Sequence, residues 1–119
     1  SLAQYAVREG VAEYVAERLS GRRPALPFYD YGTSHEAEIR SRFIAEMDGD
    51  NLDNWLYNNG RNPFGVSDVG YYAGYRIAQD YMRQQADEKA GIARMIELDY
   101  ADPEAVRAFI ETSGWLRQR

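Results

Sequence analysis

One segment in the second half of the chain combines a helical hydrophobic period with three small residues spaced four apart, Gly70, Gly74 and Ala78. On an α-helix these residues share one face and leave a shallow groove that another helix can approach closely. A row of larger side chains lies beside them: Tyr71, Tyr75 and Met82. Because each interior glycine weakens a helix by about 0.5–1 kcal/mol relative to alanine, the pattern requires a compensating contact. We therefore predict a helix over residues 69–82 that packs tightly, or that turns one tyrosine hydroxyl towards a reaction centre.

A second helix with an interior glycine is predicted over residues 3–19. Glu9 and Glu13 flank Gly10, and their spacing of four places both carboxylates on one helix face. The bare backbone at Gly10 indicates that another helix, or a helix that carries a metal ion, approaches there. The acidic face is interpreted either as solvated surface or as part of a zinc site in which Glu9 is one ligand.

The remaining chain also has helical patterns, and no run shows the alternation of a strand over more than a few residues. Helices are predicted at six places: residues 3–19, 33–47, 51–57, 69–82, 86–98 and 103–113. Two aromatic-rich loops, residues 21–32 and 61–68, connect them. The predicted fold class is all-α, a bundle or array of about five to six helices in one domain over residues 1–119.

The first of these loops contains two prolines and two glycines, which argue against a regular element. Its aromatic residues Phe28, Tyr29 and Tyr31 are expected either to pack onto the core or to line a cleft. Thr33 is predicted to cap the next helix, with Glu36 three residues later completing a capping box.

Composition excludes several classes of function. The chain has no cysteine, which excludes disulfides, thiol nucleophiles and cysteine metal sites. Its net charge of −5 argues against a nucleic-acid partner. No apolar run approaches the ~20 residues of a membrane span. The one histidine, His35, is interpreted as a surface or capping residue, since one histidine cannot form an H-E-x-x-H zinc motif.

Several stretches together resemble a known family. The first resembles the E-G-x-A-E/D-[YF] segment of gluzincin metallopeptidases: Glu9-Gly10-Val11-Ala12-Glu13-Tyr14. Three others resemble a bacterial family of predicted zinc-dependent proteases of unknown function, which is related to gliding-motility lipoproteins: Trp55-Leu56-Tyr57, Gly70-Tyr71-Tyr72-Ala73-Gly74-Tyr75-Arg76-Ile77 and Ser113-Gly114-Trp115. The resemblance covers most of the chain.

The resemblance implies specific roles. Glu9 corresponds to the third zinc ligand, and Glu13 to the acidic residue that orients a zinc-bound histidine. Tyr72 or Tyr75 would stabilise the oxyanion formed from a peptide substrate; both stay open. Zinc in such a site activates a water molecule and polarises the scissile carbonyl.

The chain departs from the family pattern because it has no H-E-x-x-H. We therefore expect it to be the C-terminal part of a larger metallopeptidase domain, inactive alone. Zinc is expected in the full-length parent and not in this fragment. The expected partner is a missing N-terminal segment that carries the other zinc ligands.

Two other interpretations remain open. One is a non-catalytic helical module that docks a partner through Phe28, Tyr29 and Tyr31, and the other is a purely structural domain. The isolated fragment is expected to form a homo-oligomer through its first helix. The resemblance and the preference for arginine over lysine indicate a bacterial protein, periplasmic or secreted.

Overall fold

The computed structural model describes residues 1–22, 27–56, 64 and 69–118. These residues form five α-helices and a terminal 3-10 turn, in this order: α1 (Leu2–Ser20), α2 (Pro27–Glu46), α3 (Val69–Arg83), α4 (Glu88–Glu97), α5 (Pro103–Ser113) and Trp115–Arg117. They contain no strand, so the all-α prediction is confirmed for the described part of the chain. None of its helices has the length and apolar character that crossing a membrane requires.

The closest helix contact is the crossing of α1 and α3, which meet backbone to backbone at two glycines. A Cβ atom added at Gly10 would lie 2.1 Å from the carbonyl carbon of Gly74, and one added at Gly74 would lie 1.9 Å from the carbonyl oxygen of Ala6. No side chain fits in such a gap. The close approach predicted from both glycines is confirmed, and the helix that makes it is α3.

Helix α2 corrects the prediction of a loop over residues 21–32 in its second half, from residue 27 on; residues 23–26 lie outside the described residues. The helix begins at Pro27, where proline is tolerated because the first helical turn has no hydrogen-bond partner for an N–H. Gly32 lies inside the helix. The Tyr72 ring packs so closely against it that a Cβ added there would lie 2.4 Å from the ring. Thr33 is not a cap, since its hydroxyl donates to the carbonyl oxygen of Tyr29 at 2.9 Å within the helix. Of the three aromatic residues expected to pack onto the core or to line a cleft, Phe28 and Tyr29 are buried in the core and Tyr31 packs against it partly buried, while Tyr29 also lines a cleft.

The break in this region lies instead at His35, whose backbone is not helical (φ −129°, ψ 24°). Its exposed imidazole stacks on the Tyr31 ring at 4.0 Å between centroids. Nδ1 lies 2.9 Å from the carbonyl oxygen of Tyr31. The helix start that the capping box predicted at Thr33 is therefore wrong. The break in α2 lies at His35.

An aromatic cluster in the core joins the C-terminal Trp115 to residues from the middle of the chain. Trp115 is fully buried because Gly114, with φ +78°, ends α5 and turns the chain back. Its ring meets that of Phe43 at 6.0 Å, and Phe43 meets Trp55 at 5.5 Å. The described residues of the short helical turn predicted over residues 51–57 form a turn, in which the N–H groups of Trp55 and Leu56 donate to the carbonyl oxygen of Leu52; Tyr57 lies outside the described residues. Nearly all of the second predicted loop, residues 61–68, lies outside the described residues.

Candidate functional site

The two acidic residues predicted to form the site lie one turn apart on α1, and both are partly buried. An oxygen of Glu9 accepts a hydrogen bond from Nη2 of Arg8 at 3.2 Å. Burial and, after it, the negative charge of Glu9 raise the pKa of the Glu13 carboxyl above its ordinary value of 4.5. The two carboxylates are therefore electrostatically coupled, and a cation beside them would relieve their repulsion.

We tested whether these carboxylates could form a complete metal site. Zinc in proteins is usually held by three or four ligands, most often imidazole or thiolate groups. Within the part of the chain that the structure describes, no group of three or more histidine, cysteine, aspartate or glutamate side chains could hold a metal ion. The described residues therefore do not form a complete zinc site by themselves.

The two candidate tyrosines on α3 occupy different environments. The Tyr72 hydroxyl donates to Oε1 of Glu36 at 2.9 Å. Burial and this bond raise the pKa of Tyr72 far above its ordinary value of 10.0, so that its hydroxyl stays protonated. The Tyr75 ring is buried between Tyr14 of α1, at 5.8 Å, and Tyr29 of α2, at 5.2 Å.

Tyr75 approaches α1 at Gly10 and also lines a groove. Its backbone nitrogen lies 2.2 Å from the position of a Cβ added at Gly10, the residue that Glu9 and Glu13 flank. This groove consists of two open clefts, of about 420 and 280 Å³, which share three lining residues. These are Tyr75, Gln79 and Arg83, which we call the α3 ridge. The ridge separates a wall formed by α1 and α4 from a wall formed by α2.

A buried ion-pair network lies beneath the α3 ridge. Arg76 donates from Nε to Oε1 of Glu36 at 2.5 Å and from Nη1 to Oδ1 of Asp80 at 2.9 Å. Burial would raise the pKa of Glu36, but the hydrogen bonds from Arg76 and Tyr72 outweigh it and lower the pKa below 4.5. The Asp80 side chain is only 4% exposed and also accepts from Arg83 and Gln118.

Sequence reasoning missed this network. Arg76 and Asp80 are four apart on α3, and Glu36 lies forty residues away on α2. The spacing of Arg76 and Asp80 was the available signal, because a charged pair four apart on an otherwise apolar helix can be buried as a pair.

The coupling of the two α1 carboxylates gives a first testable prediction. In Glu9→Gln the pKa of Glu13 should fall towards 4.5, because a repelling charge is lost, and stay above it, because burial is the larger cause. A ¹³C NMR titration of the Glu13 carboxyl carbon measures this shift. Glu104→Gln, an exposed change on α5, should leave the titration unchanged. An unaltered Glu13 pKa in Glu9→Gln would show that the two carboxylates do not interact.

Comparison with known proteins gives one family. The family model described as a predicted Zn-dependent protease (DUF2268) matches residues 1–102 of the chain. No curated protein and no solved structure matches it significantly. The matched residues include α1 with Glu9 and Glu13, and α3 with Tyr72 and Tyr75.

Proposed function

Since this chain belongs to the family of predicted zinc-dependent proteases, whose model matches residues 1–102, we propose that it is the C-terminal helical part of a zinc metallopeptidase. In this proposal Glu9 is the third ligand of the zinc ion. The observation that carries the proposal is the coupled, partly buried pair of carboxylates on α1. A zinc ion held there would supply a water molecule of lowered pKa and a Lewis acid for the peptide carbonyl.

Glu13 is proposed to position a histidine ligand. A ligating imidazole usually donates its second N–H to a carboxylate, which fixes its tautomer and orientation. Glu13 lies one turn from Glu9 on the same helix face, and in this proposal Glu9 binds the metal while Glu13 binds the histidine ligand. Its raised pKa would fall once a cation lay beside it.

Tyr72 or Tyr75 is proposed to bind the oxyanion of a peptide substrate. The Tyr72 hydroxyl donates to Glu36. Tyr75 follows the glycine at which α3 meets Gly10, so that its backbone lies against the helix that carries the carboxylate pair. A hydroxyl donor placed near a developing oxyanion is a common source of transition-state stabilisation.

The remaining ligands are proposed to come from an H-E-x-x-H helix outside these 119 residues. The sequence supplies one histidine, and His35 is placed on α2 with its ring stacked on Tyr31. Two imidazoles and Glu9 would leave a position open for water, which is the arrangement of a catalytic zinc site. The 119-residue chain alone is accordingly proposed to be inactive and to require that segment as its partner.

Zinc content tests the proposal. The natural full-length protein should bind one zinc ion per chain and hydrolyse a casein substrate, whereas Glu9→Gln should bind zinc at least tenfold more weakly, because a neutral amide replaces an anionic ligand. Metal analysis after dialysis against a graded chelator measures the affinity. Glu97→Gln, an exposed change on α4, is the matched control and should retain zinc and activity. Full zinc occupancy in Glu9→Gln would end the proposal.

A further inference from the structure

The α3 ridge carries two polar side chains, Gln79 and Arg83, and each makes a hydrogen bond to the ion-pair network beneath the ridge. Oε1 of Gln79 accepts from Nη1 of Arg76 at 2.7 Å. Nη1 of Arg83 donates to Oδ1 of Asp80 at 3.0 Å. Because Arg76 and Asp80 are themselves paired and largely buried, both side chains are anchored to a fixed part of the protein. Their positions at the edge of the groove are therefore set before any ligand binds.

The groups that remain on these two side chains are hydrogen-bond donors. Gln79 retains its amide N–H groups at Nε2, and Arg83 retains those at Nε and Nη2. Among the residues that the structure describes, none of these groups has a hydrogen-bond partner. Both residues line both clefts. The centre of the groove thus presents donors, and a ligand that binds there must supply acceptors.

The charge of the network beneath the ridge is positive. Three guanidinium groups, those of Arg40, Arg76 and Arg83, face two carboxylates, those of Glu36 and Asp80, so that the formal sum is +1. Arg83 is the exposed member, with 64% of its side chain accessible, whereas Arg40 and Arg76 are 6% and 12% accessible. The excess charge therefore reaches the groove at Arg83.

Two acidic residues in the walls, Glu88 and Glu36, are paired with arginines. Glu88 accepts two hydrogen bonds from Arg18, at 2.9 and 3.1 Å, across the wall formed by α1 and α4. Glu17 lines the larger cleft but not the smaller one. In the smaller cleft the one acidic lining residue is Glu36, which Arg76 neutralises.

We propose that the α3 ridge binds a carboxylate group of a peptide, with Arg83 as the cationic anchor and Gln79 as the second donor. A guanidinium fork matches the two oxygens of a carboxylate, and hydrogen bonds between charged groups are about twice as strong as neutral ones. Tyr14, Tyr29 and Tyr75 also line the clefts beside the ridge. The identification of this peptide as the substrate rests on the proposed function. The binding of a carboxylate at the ridge does not depend on it.

A titration with three capped peptides tests the proposal and identifies the source of the carboxylate. The probes are acetyl-tetra-alanine with a free C-terminus, the same peptide as its C-terminal amide, and acetyl-Ala-Ala-Glu-Ala-amide. Binding to the 119-residue chain without added metal is followed by ¹H–¹⁵N NMR of the Gln79 side-chain amide and of the Arg83 Nε–H. Shifts with the first peptide alone identify a C-terminal carboxylate, and shifts with the third alone identify an acidic side chain; shifts with both identify either. Equal shifts with the amide, or none with any peptide, would overturn the proposal.

The substitution Arg83→Gln removes the positive charge of the proposed anchor. The variant should bind the carboxylate peptide at least tenfold more weakly, since one charge-assisted pair is removed. Arg42→Gln is the control, because Arg42 is also an exposed arginine with one carboxylate partner, Glu38, and lies outside both clefts. It should bind as the parent chain does. Equal affinity of Arg83→Gln and the parent chain would contradict the assignment of Arg83.

This test can fail independently of the zinc proposal. The peptide titration is made without added metal, and Glu9 lines neither cleft. Loss of zinc binding in Glu9→Gln with no effect of Arg83→Gln on peptide binding would remove the carboxylate site alone. Carboxylate binding that depends on Arg83, together with full zinc occupancy in Glu9→Gln, would remove the zinc proposal alone.

Discussion

Gly74→Ala should lower the free energy of unfolding by about 3 kcal/mol or more, although it adds a single methyl group. The added Cβ would lie 1.9 Å from the carbonyl oxygen of Ala6 and 2.8 Å from its carbonyl carbon. Both atoms belong to the backbone of α1, so that relief requires the two helices to separate. Separation would open the contact along Gly10 and expose the buried face of α1, where Ala6 and Val7 are fully buried. Chemical denaturation followed by circular dichroism measures the loss.

Gly49→Ala is the control for this change. Gly49 lies after α2, and an added Cβ would come no closer than 3.4 Å to its nearest neighbour, the carbonyl oxygen of Glu46. The same substitution should therefore alter the stability by no more than about 1 kcal/mol. Equal stability of Gly74→Ala and Gly49→Ala would show that α1 and α3 do not meet backbone to backbone.

Arg76→Met should lower the free energy of unfolding by about 3 kcal/mol or more at pH 7. Methionine fills a similar volume, but it leaves the carboxylates of Glu36 and Asp80 without the guanidinium that binds both. Removing one partner of a buried ion pair is strongly destabilising because the remaining charge stays desolvated. Arg40 still contacts Glu36, and Arg83 still contacts Asp80, which sets a limit on the loss.

The effect of Arg76→Met should depend on pH. In the parent chain the pKa of Glu36 is lowered below 4.5, so its contribution to stability is present above about pH 4.5 and is lost as the pH falls through the lowered value. In Arg76→Met the guanidinium that lowers this pKa is absent, so the pKa of Glu36 should lie above its value in the parent chain. Less of the stability that Glu36 contributes at pH 7 should then remain to be lost as the pH falls. The difference in stability between the two proteins should therefore be largest at pH 7 and should shrink towards pH 4.

Arg107→Met is the control for Arg76→Met. Arg107 also contacts two acidic residues, Asp48 and Glu111, but on the surface, where its side chain is 45% exposed. Surface ion pairs contribute about 0–1 kcal/mol, so its loss should be small. A destabilisation by Arg76→Met that matched Arg107→Met, or that grew as the pH fell, would contradict the buried network.

Local patterns were sufficient to predict most of the helices. The spacing of the small residues predicted the glycine face of α3, and Gly10 predicted its contact with another helix. Two helix ends follow equally local rules: Asp102 accepts from the backbone of Glu104, and Gly21 ends α1 in the left-handed conformation. These features depend on residues three or four apart on one helix, and such spacings are visible in a sequence.

The start of α2 could not be predicted in this way. Pro27 and Gly32 are read as loop residues, but proline is compatible with a first turn, and Gly32 is required by the ring of Tyr72, forty residues later. A contact on α3 thus outweighs the weak helix propensity of glycine. The kink at His35 likewise depends on the stacking of its ring on Tyr31.

The candidate site was predictable only in part. The shared face of Glu9 and Glu13 follows from their spacing, and the family match is consistent with a zinc role. The groove depends on packing between α1, α2 and α3, and the pairing of Glu36 with Arg76 joins two of these helices. No spacing within one helix contains that information. The roles of Glu9, of Glu13 and of Tyr72 or Tyr75 in a zinc site stay predictions, because the remaining ligands are proposed to lie outside this sequence.

Anomalous X-ray diffraction at the zinc edge, on crystals of the natural full-length protein, tests the central claim most directly. We predict a single strong peak about 2.0–2.2 Å from a carboxylate oxygen of Glu9, with two histidine ligands from the added segment and with Glu13 hydrogen-bonded to one of them. A zinc peak bound by other residues, with the Glu9 carboxylate contacting only Arg8 or solvent, would contradict the account.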